Sequence, residues 1–463
     1  MAGVMAPHRE DLTGPSAAWL AEAGRTLPRY TSYPTALAFE PADGEVETRE
    51  WLSAITPDQA LSVYVHVPFC RRLCWYCGCH TSVFHEYDRV GSYFDTLKRE
   101  VDIWADHLPA HAGTQHLHFG GGSPNALLPE HFAELLELLK RRFAVRPDAE
   151  VAAELDPGLL THEFVHAAAA AGVTRVSLGV QTFDPEVQGK VNRTQPFAHV
   201  AGVVDQLRAA GIQALSFDLM YGLPGQTPEN VAESARQAVT LSPDRIAVFG
   251  YAHVPWMKKH QRMIRDEDLA DARGRWAQAE AADATLVEAG YVRIGLDHYA
   301  KPDDPLTIAT AEGRLRRNFQ GYTDDPAPVL IPVGPSSIGS LGPGFVQNAV
   351  FTNLWGQAVA EGRLPAARRL PITSEDRLRA AVIERLMCDL HVDVGALCLA
   401  HGWPVETLDG SFDDLARLHV LGLCEVVDRT LRIPEAARRL MRTVAACFDA
   451  RLQAAEKRHA TAV

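Results

Sequence analysis

The sequence predicts an α/β protein built as an incomplete (β/α)6-type, TIM-like barrel, with an N-terminal extension and a small, mainly helical C-terminal domain. Three observations lead there. From residue 61 a short apolar strand, a turn and an amphipathic helix recur in that order, the pattern of parallel strands joined by helical crossovers. Glycine-rich and polar positions fall after successive strands, at the end where barrels hold their chemistry. Near residues 365–374 the alternation stops and helices alone follow. A chain of 463 residues, 47% of them hydrophobic, is long enough for two cored domains.

Residues 1–60 read as a polar, proline-punctuated N-terminal extension, either an extended segment laid over another part of the chain or a disordered lead. Its one distinctive stretch is Pro28-Arg29-Tyr30-Thr31-Ser32-Tyr33-Pro34-Thr35-Ala36, where two prolines and two tyrosines favour extended backbone. The barrel is expected over 61–360, with strands at 61–67, 114–119, 150–155, 174–180, 213–220 and 244–250 and a later candidate at 291–296. Helices at 129–143, with Leu135, Leu136, Leu138 and Leu139 on one side, and at 198–210 supply crossovers. The last domain, 365–463, is expected to be a helical cap. In it Gly422–Ile433 reads as a hairpin turning at Asp428-Arg429, next to acidic residues rather than a basic DNA-binding face.

Lys and Arg number 45 against 58 Asp and Glu, a formal charge of −13. With no basic stripe, neither nucleic acid nor an anionic membrane surface is an expected partner. No apolar stretch reaches spanning length, and His8-Arg9-Glu10-Asp11 stands where a signal peptide needs its apolar region. A cytoplasmic location, with reduced thiols, is therefore expected.

Four of the eight cysteines lie within ten residues, Cys70, Cys74, Cys77 and Cys79, directly after the first strand. Cys70, Cys74 and Cys77 give C-x3-C-x2-C, three thiolates that one loop can turn to a common centre, whereas structural zinc draws two pairs. A [4Fe–4S] cubane normally takes four cysteines, so three leave one iron open to a small chelating ligand. As a fourth ligand Cys79 would close that corner and leave an electron-transfer site. Two residues is a tight span for two ligands of one cluster, and Cys79 is read as a non-ligand. Cys388, Cys398, Cys424 and Cys447 lie far apart in apolar contexts and are read as ordinary buried residues.

The later strand ends add to this rim. Gly120-Gly121-Gly122-Ser123 follows the second strand, as a backbone that presses on a ligand or as a plain tight turn. Glu154, Gln181 and Asp218 close the third, fourth and fifth.

The motif Cys70–Cys77, with its aromatic Tyr76, resembles the signature of radical S-adenosylmethionine (SAM) enzymes. Together with Tyr64-Val65-His66-Val67-Pro68-Phe69, Cys77-Gly78-Cys79 and Pro28–Ala36, the sequence is similar to the oxygen-independent coproporphyrinogen III oxidases. The resemblance runs from about residue 28 to the C-terminus and implies that the N-terminal extension, 1–60, lies over the active site. It implies that Tyr64, Gly121 and Glu154 contact a SAM on the open iron, with Ile338 over its adenine. It further implies a second SAM held by Tyr76, Gly122, Ser123, Gln181, Arg193, Asp218 and Ala252. Ser123 stands where threonine is commoner, Tyr76 where phenylalanine is also seen, and Pro335 removes an amide ahead of Ile338. Arg29, Lys301 and Arg317 become candidates for substrate carboxylates, a solvated surface charge being the alternative for each.

The implied reaction starts with one electron from a flavodoxin- or ferredoxin-like donor through the cluster to SAM. The 5′-deoxyadenosyl radical released takes a hydrogen from a propionate of a tetrapyrrole, carbon dioxide leaves and a vinyl group remains, twice per substrate. Cys70, Cys74, Cys77, Glu154 and Tyr64 are the expected catalytic set, in a monomer. Two rivals remain at this stage: a haem-handling paralogue without oxidase activity, and an electron carrier with Cys79 as fourth ligand.

Overall fold

The computed structural model describes residues 15–42 and 45–452. The start of the predicted extension, including His8–Asp11, and the end of the chain lie outside the described residues. Six parallel strands occupy the predicted places: β1 (Leu61–Val67), β2 (Thr114–Gly121), β3 (Val145–Leu155), β4 (Arg175–Gln181), β5 (Ala214–Tyr221) and β6 (Arg245–Gly250). Between and after them run α1 (Asp88–Asp106), α2 (Pro129–Arg142), α3 (His162–Ala170), α4 (Phe197–Ala209), α5 (Pro228–Thr240) and α6 (Ala272–Glu288).

Alternation along each strand explains the layering. Val63, Val65 and Val67 of β1, Leu117 and Phe119 of β2, and Val176, Leu178 and Val180 of β4 face outward and are buried against Leu97, Phe132, Leu135, Leu139 and Val200 of the helices. At about 1.5–3 kcal/mol for each fully buried side chain, this apolar layer is what holds helices to sheet. The opposite parity is polar: His118, Glu150, Glu154, Arg175, Asp218 and Arg245 line a lumen of ≈310 Å³. A closed barrel would pack that interior with side chains. Here the curved sheet stays open and keeps a charged hollow.

The sheet extends beyond prediction. The remaining strands are β7 (Val292–Ile294), β8 (His298–Ala300), β9 (Val329–Val333), β10 (Ile338–Ser340), β11 (Gly344–Asn348) and β12 (Ala366–Pro371). The order is Glu40–Pro41, β12, β11, β10, β9, β1 to β6, β8, β7. The candidate at 291–296 does join, as β7 beyond antiparallel β8 at one edge. A seventh parallel strand, β9, was not anticipated; it lies beside β1 with Val329 opposite Leu61 and Val333 opposite Val65. Pro332 hides it in the sequence, because proline cannot donate to a ladder and argues against a strand interior. The expected change to helices at 365–374 is likewise displaced: β12 pairs with β11 before the helices start.

From α7 (Ser374–Asp389) the chain is mainly helical. Thr373 caps α7, its hydroxyl accepting from the Asp376 amide at 3.0 Å while the Asp376 carboxylate accepts from the Thr373 amide at 3.1 Å. Leu378, Val382 and Leu386 of α7 share a second core with Ala23, Leu27, Tyr30 and Tyr33 of the N-terminal lead and Trp276 of α6. The lead is thus strapped to the C-terminal region. The predicted hairpin is present, Glu425–Val427 against Thr430–Arg432, with Asp428 at φ 54° in its turn and His391–Asp393 as a third strand.

Candidate active site at the cysteine loop

Beyond β1 the chain forms a two-residue ladder, Phe69–Cys70 against Ser82–Val83, and the cysteine loop bulges between. Two clamps fix it. On one side Trp75 N donates to Val191 O at 3.0 Å and Asn192 Nδ2 to Leu73 O at 2.9 Å. On the other, residues after β6 close in: Lys258 Nζ donates to Cys79 O (2.9 Å), His260 Nε2 bonds Cys77 O (2.8 Å) and Gln261 Nε2 donates to Tyr76 O (3.0 Å).

Cys70, Cys74 and Cys77 line one cavity of ≈150 Å³ together with Tyr76, Cys79, Gly121, Gly122, Glu154, Gln181, Arg193 and Asp218. Ten of the sequence-predicted positions thus converge. Tyr64 stands immediately behind, its ring and the Glu154 carboxylate both pressed on Gly120. Ser123, Ala252 and Ile338 do not line this cavity. Ser123 is buried, its hydroxyl bonding Asn125 and accepting from the Asp156 amide at 3.2 Å. Ala252 faces a different cavity, and Ile338 packs beside Phe39, Phe345 and Leu370.

The thiols suit a cluster. Burial pushes the Cys70 thiol up to about 11, eased by a hydrogen bond from Thr81 Oγ1 (3.2 Å) and increased by the neighbouring Cys77 and Cys74. Three thiolates this close repel one another, and a cationic iron core removes that penalty. Among the described residues no three His, Cys, Asp or Glu side chains gather as tightly as one metal ion needs. A cubane is not held that way, since its cysteines bind separate corners. Cys79 hydrogen-bonds Cys77, and that bond, opposed by burial, draws the Cys77 thiol down. The glycine cradle fits as well. A Cβ at Gly121, where φ is 110°, would sit 2.7 Å from the His66 ring, and one at Gly122 would sit 2.6 Å from Thr81 Oγ1.

The opposite wall carries charge. Glu154 Oε1 bonds His118 Nε2 at 2.9 Å, and Tyr64 stacks on His118 with centroids 5.9 Å apart. Burial works against the Glu154 carboxylate, but His118 and the Gly121 amide outweigh it and hold its carboxyl below the ordinary value. Asp218 is pushed up to about 7, by burial first and then by the charge of Glu154, against Ser177, Arg193 and His118. Arg193 is buried; it donates to Gly179 O (2.6 Å) and Asp156 Oδ1 (3.2 Å) and approaches Cys74 Sγ (3.5 Å). Its buried Nε has no partner among the described residues, an orphan donor that a ligand would satisfy. Gln181 sits at φ 67°, backbone strain of the kind kept at ligand sites.

Sequence reasoning missed His66, Thr81, His118, Asn192 and Gln261. His66 and His118 share the inward parity of Tyr64 and Glu154, so strand alternation was a signal for both. The three residues taken as carboxylate candidates separate. Arg29 Nη2 donates to Gly250 O at 3.1 Å, at the end of β6. Arg317 stacks over Tyr322 and donates to Tyr30 O at 3.2 Å. Lys301 is far from the cysteine rim, because β8 runs antiparallel to β6 and sets Ala300 opposite Arg245, where Lys301 pairs with Asp244 at 3.0 Å.

An open parallel barrel whose first strand feeds a three-cysteine loop, with carboxylates and glycine backbone on the same rim, defines the radical SAM class; residues 64–238 match the Radical SAM superfamily. The oxygen-independent coproporphyrinogen III oxidase of Bradyrhizobium diazoefficiens is 46% identical over 437 residues, 94% of this chain and 97% of that one. The enzyme of that name from Paracoccus denitrificans is 41% identical over 423 residues, 91% and 94% of the two chains. Among solved structures, the Escherichia coli coproporphyrinogen III oxidase, described as a radical SAM enzyme, superposes with a TM-score of 0.87 at 35% identity over 91% of this chain and 97% of that one. The chain belongs to the oxygen-independent coproporphyrinogen III oxidase family. Membership implies a [4Fe–4S] cluster and SAM. Among the described residues no helix is long and apolar enough to cross a membrane.

Proposed function

We propose that this chain oxidises coproporphyrinogen III to protoporphyrinogen IX without oxygen, turning two propionates into vinyl groups for haem biosynthesis. The observation that best supports this reading is the convergence of five strand ends on one cavity, with cysteines on one wall and carboxylates on the other. Cys70, Cys74 and Cys77 would hold the cluster and leave one iron open for SAM. When bound, that pair supplies a primary carbon radical able to take a hydrogen from the propionate carbon attached to the ring, so that loss of carbon dioxide, with one electron passed to an external one-electron acceptor, leaves the vinyl group.

The chain's own groups do the placing. Glu154, kept ionised by His118 and the Gly121 amide, offers negative charge to the SAM amine or sulfonium, and Tyr64 walls that side. Gly121 and Gly122 bring backbone against the ligand, and Arg193 with its unused Nε suits a carboxylate. Tyr76, Gln181 and Asp218 leave polar wall for a second SAM, and two molecules are part of this proposal. So are Ser123, Ala252 and Ile338 as contacts, each requiring an approach from outside the cavity described above. A reactive carbon radical needs water excluded, and the lead, packed on the region after residue 365, would serve as the cover. We further assign three units, 1–60 as the extension, 61–360 as the barrel and 365–463 as the cap, acting as a cytoplasmic monomer fed by a flavodoxin- or ferredoxin-like donor.

The test is anaerobic cluster reconstitution, then assay of 5′-deoxyadenosine and protoporphyrinogen with and without coproporphyrinogen III. Formation of both supports the reading. 5′-Deoxyadenosine without decarboxylation would point to the haem-handling alternative, and no response to SAM at all to an electron carrier.

A further inference from the structure

The segment after β6, residues 252–265, folds around one buried side chain, Gln261. Its Oε1 accepts from Val254 N at 2.6 Å, while its Nε2 donates to Ala252 O at 3.2 Å and across to Tyr76 O at 3.0 Å. With Lys258 Nζ on Cys79 O and His260 Nε2 on Cys77 O, three side chains pin the segment to the backbone of the cysteine loop. Its outer side is apolar and cationic. Trp256, Met257 and Met263 are 62%, 54% and 59% exposed, a cluster of large apolar side chains that no part of the chain covers among the described residues. Lys259 and Arg262 are exposed between them, on the 3-10 helix Lys259–Met263. Such a helix turns once every three residues, so the two cations lie one above the other on the same side.

Charge sets this face apart from the rest of the molecule. Residues 68–83 and 252–265 hold Arg71, Arg72, Lys258, Lys259, Arg262 and Arg265 and no Asp or Glu, in a chain with 58 acids against 45 Lys and Arg. The acids that follow in sequence are taken: Asp266 by His253 at 2.9 Å, Glu267 and Asp268 by Arg265 at 2.7 and 2.9 Å. Arg71 and Lys258 donate to carbonyls, those of His85 and Cys79. Lys259 and Arg262 form no ion pair among the described residues. An otherwise acidic chain thus presents a cationic face studded with apolar side chains directly against its cysteine loop. Exposed apolar patches rimmed by charge mark protein contacts, and opposite charge steers the encounter.

We propose that this face docks a small acidic one-electron carrier protein, the donor that reduces the cluster. The proposal rests on the cluster and donor part of the reading above and not on the porphyrinogen. One electron leaves the carrier's reduced centre, which is oxidised by one unit, and enters the cluster, which is reduced by one; no atom changes hands. Trp256, Met257 and Met263 supply the apolar centre of the contact, and Lys259 and Arg262 the charge that an acidic carrier meets. The location suits the transfer. The residues that carry the patch bond directly to the Cys77 and Cys79 carbonyls, so an electron delivered there has one short loop to cross. The wall of Glu154 and Asp218 stays open to small ligands, and a carrier on the outer face leaves that cavity free. A carrier must also depart after each delivery, which calls for a small contact of adaptable side chains, and methionine is the most adaptable of the apolar ones.

The test uses the full-length reconstituted protein with an acidic flavodoxin as probe. Two quantities are read: equilibrium binding of the oxidised flavodoxin, followed by its flavin fluorescence, and 5′-deoxyadenosine formed from SAM once the flavodoxin is reduced. The double variant Lys259→Glu/Arg262→Glu should weaken flavodoxin binding about tenfold and Trp256→Ala about fivefold, and wild-type binding should weaken as salt is raised. With dithionite, a small reductant that needs no docking face, the same variants should form 5′-deoxyadenosine within about twofold of wild type. All three side chains are exposed, so their replacement leaves the core untouched. Unchanged flavodoxin binding in the charge-reversed variant overturns the proposal, as does a wild type that does not bind flavodoxin. Equal losses with flavodoxin and dithionite would mean a structural role, and a wild-type dimer that Trp256→Ala dissociates would assign the face to a second copy; either overturns it too. Should the oxidase reading fail, flavodoxin and SAM would still give 5′-deoxyadenosine without a vinyl product, and the docking result would stand. Normal decarboxylation with unaffected patch variants would do the reverse.

Discussion

At pH 6 SAM should bind the cysteine cavity about tenfold more weakly than at pH 8, and Asp218 is the reason. Its carboxyl is raised to about 7 because it is buried and faces the fixed negative charge of Glu154, with only a 3.4 Å hydrogen bond from Ser177 and the more distant Arg193 and His118 to offset this. A raised acid is neutral below its folded value and ionised above it, so the anion a sulfonium needs appears as pH rises through about 7. If only the ionised form binds well, the apparent Kd is the intrinsic one divided by the ionised fraction, about one tenth at pH 6 and about nine tenths at pH 8. The assay is equilibrium binding of SAM to the reconstituted protein from pH 6 to 8. Asp218→Asn should bind weakly throughout and lose the step. His118 also titrates upward of its ordinary value, but it is tied to Glu154, so any step it contributes would survive in Asp218→Asn. A flat wild-type profile, or an unchanged step in the variant, would refute the charge-pairing argument.

Other substitutions test the remaining parts. Cys74→Ala should lose the cluster absorbance and all 5′-deoxyadenosine formation, whereas Cys79→Ala should keep the cluster; a cluster-free Cys79→Ala protein would overturn the three-ligand assignment. Gly121→Ala forces a Cβ to 2.7 Å from the His66 ring at a φ of 110°, and should lower SAM affinity at least tenfold, with a smaller loss in thermal midpoint. Glu100 is fully buried, and its two oxygens accept from Trp104 (3.2 Å), Asn348 (2.6 Å), Gly334 N (2.7 Å) and Trp355 (2.9 Å). With each orphaned donor costing roughly 1–3 kcal/mol, partly relaxed, Glu100→Ala should destabilise by about 4 kcal/mol, measured by denaturant titration, and Glu100→Gln by about half that.

The barrel was legible because each strand carries its own instructions: apolar residues on the parity that meets helices, polar ones on the parity that meets the lumen. The same rule delivered Glu154, Gln181 and Asp218 to the rim, since a polar group closing an apolar strand has nowhere else to point. What escaped was set by partners distant in sequence. β9 owes its place to β1, about 270 residues earlier, and Pro332 breaks its local signature. Ser123 carries a hydroxyl like any ligand contact, yet Asn125 and the Asp156 amide absorb it, and nothing local announces that. Lys301 was misplaced because strand direction decides which end of a sheet a flanking residue reaches, and direction follows from pairing.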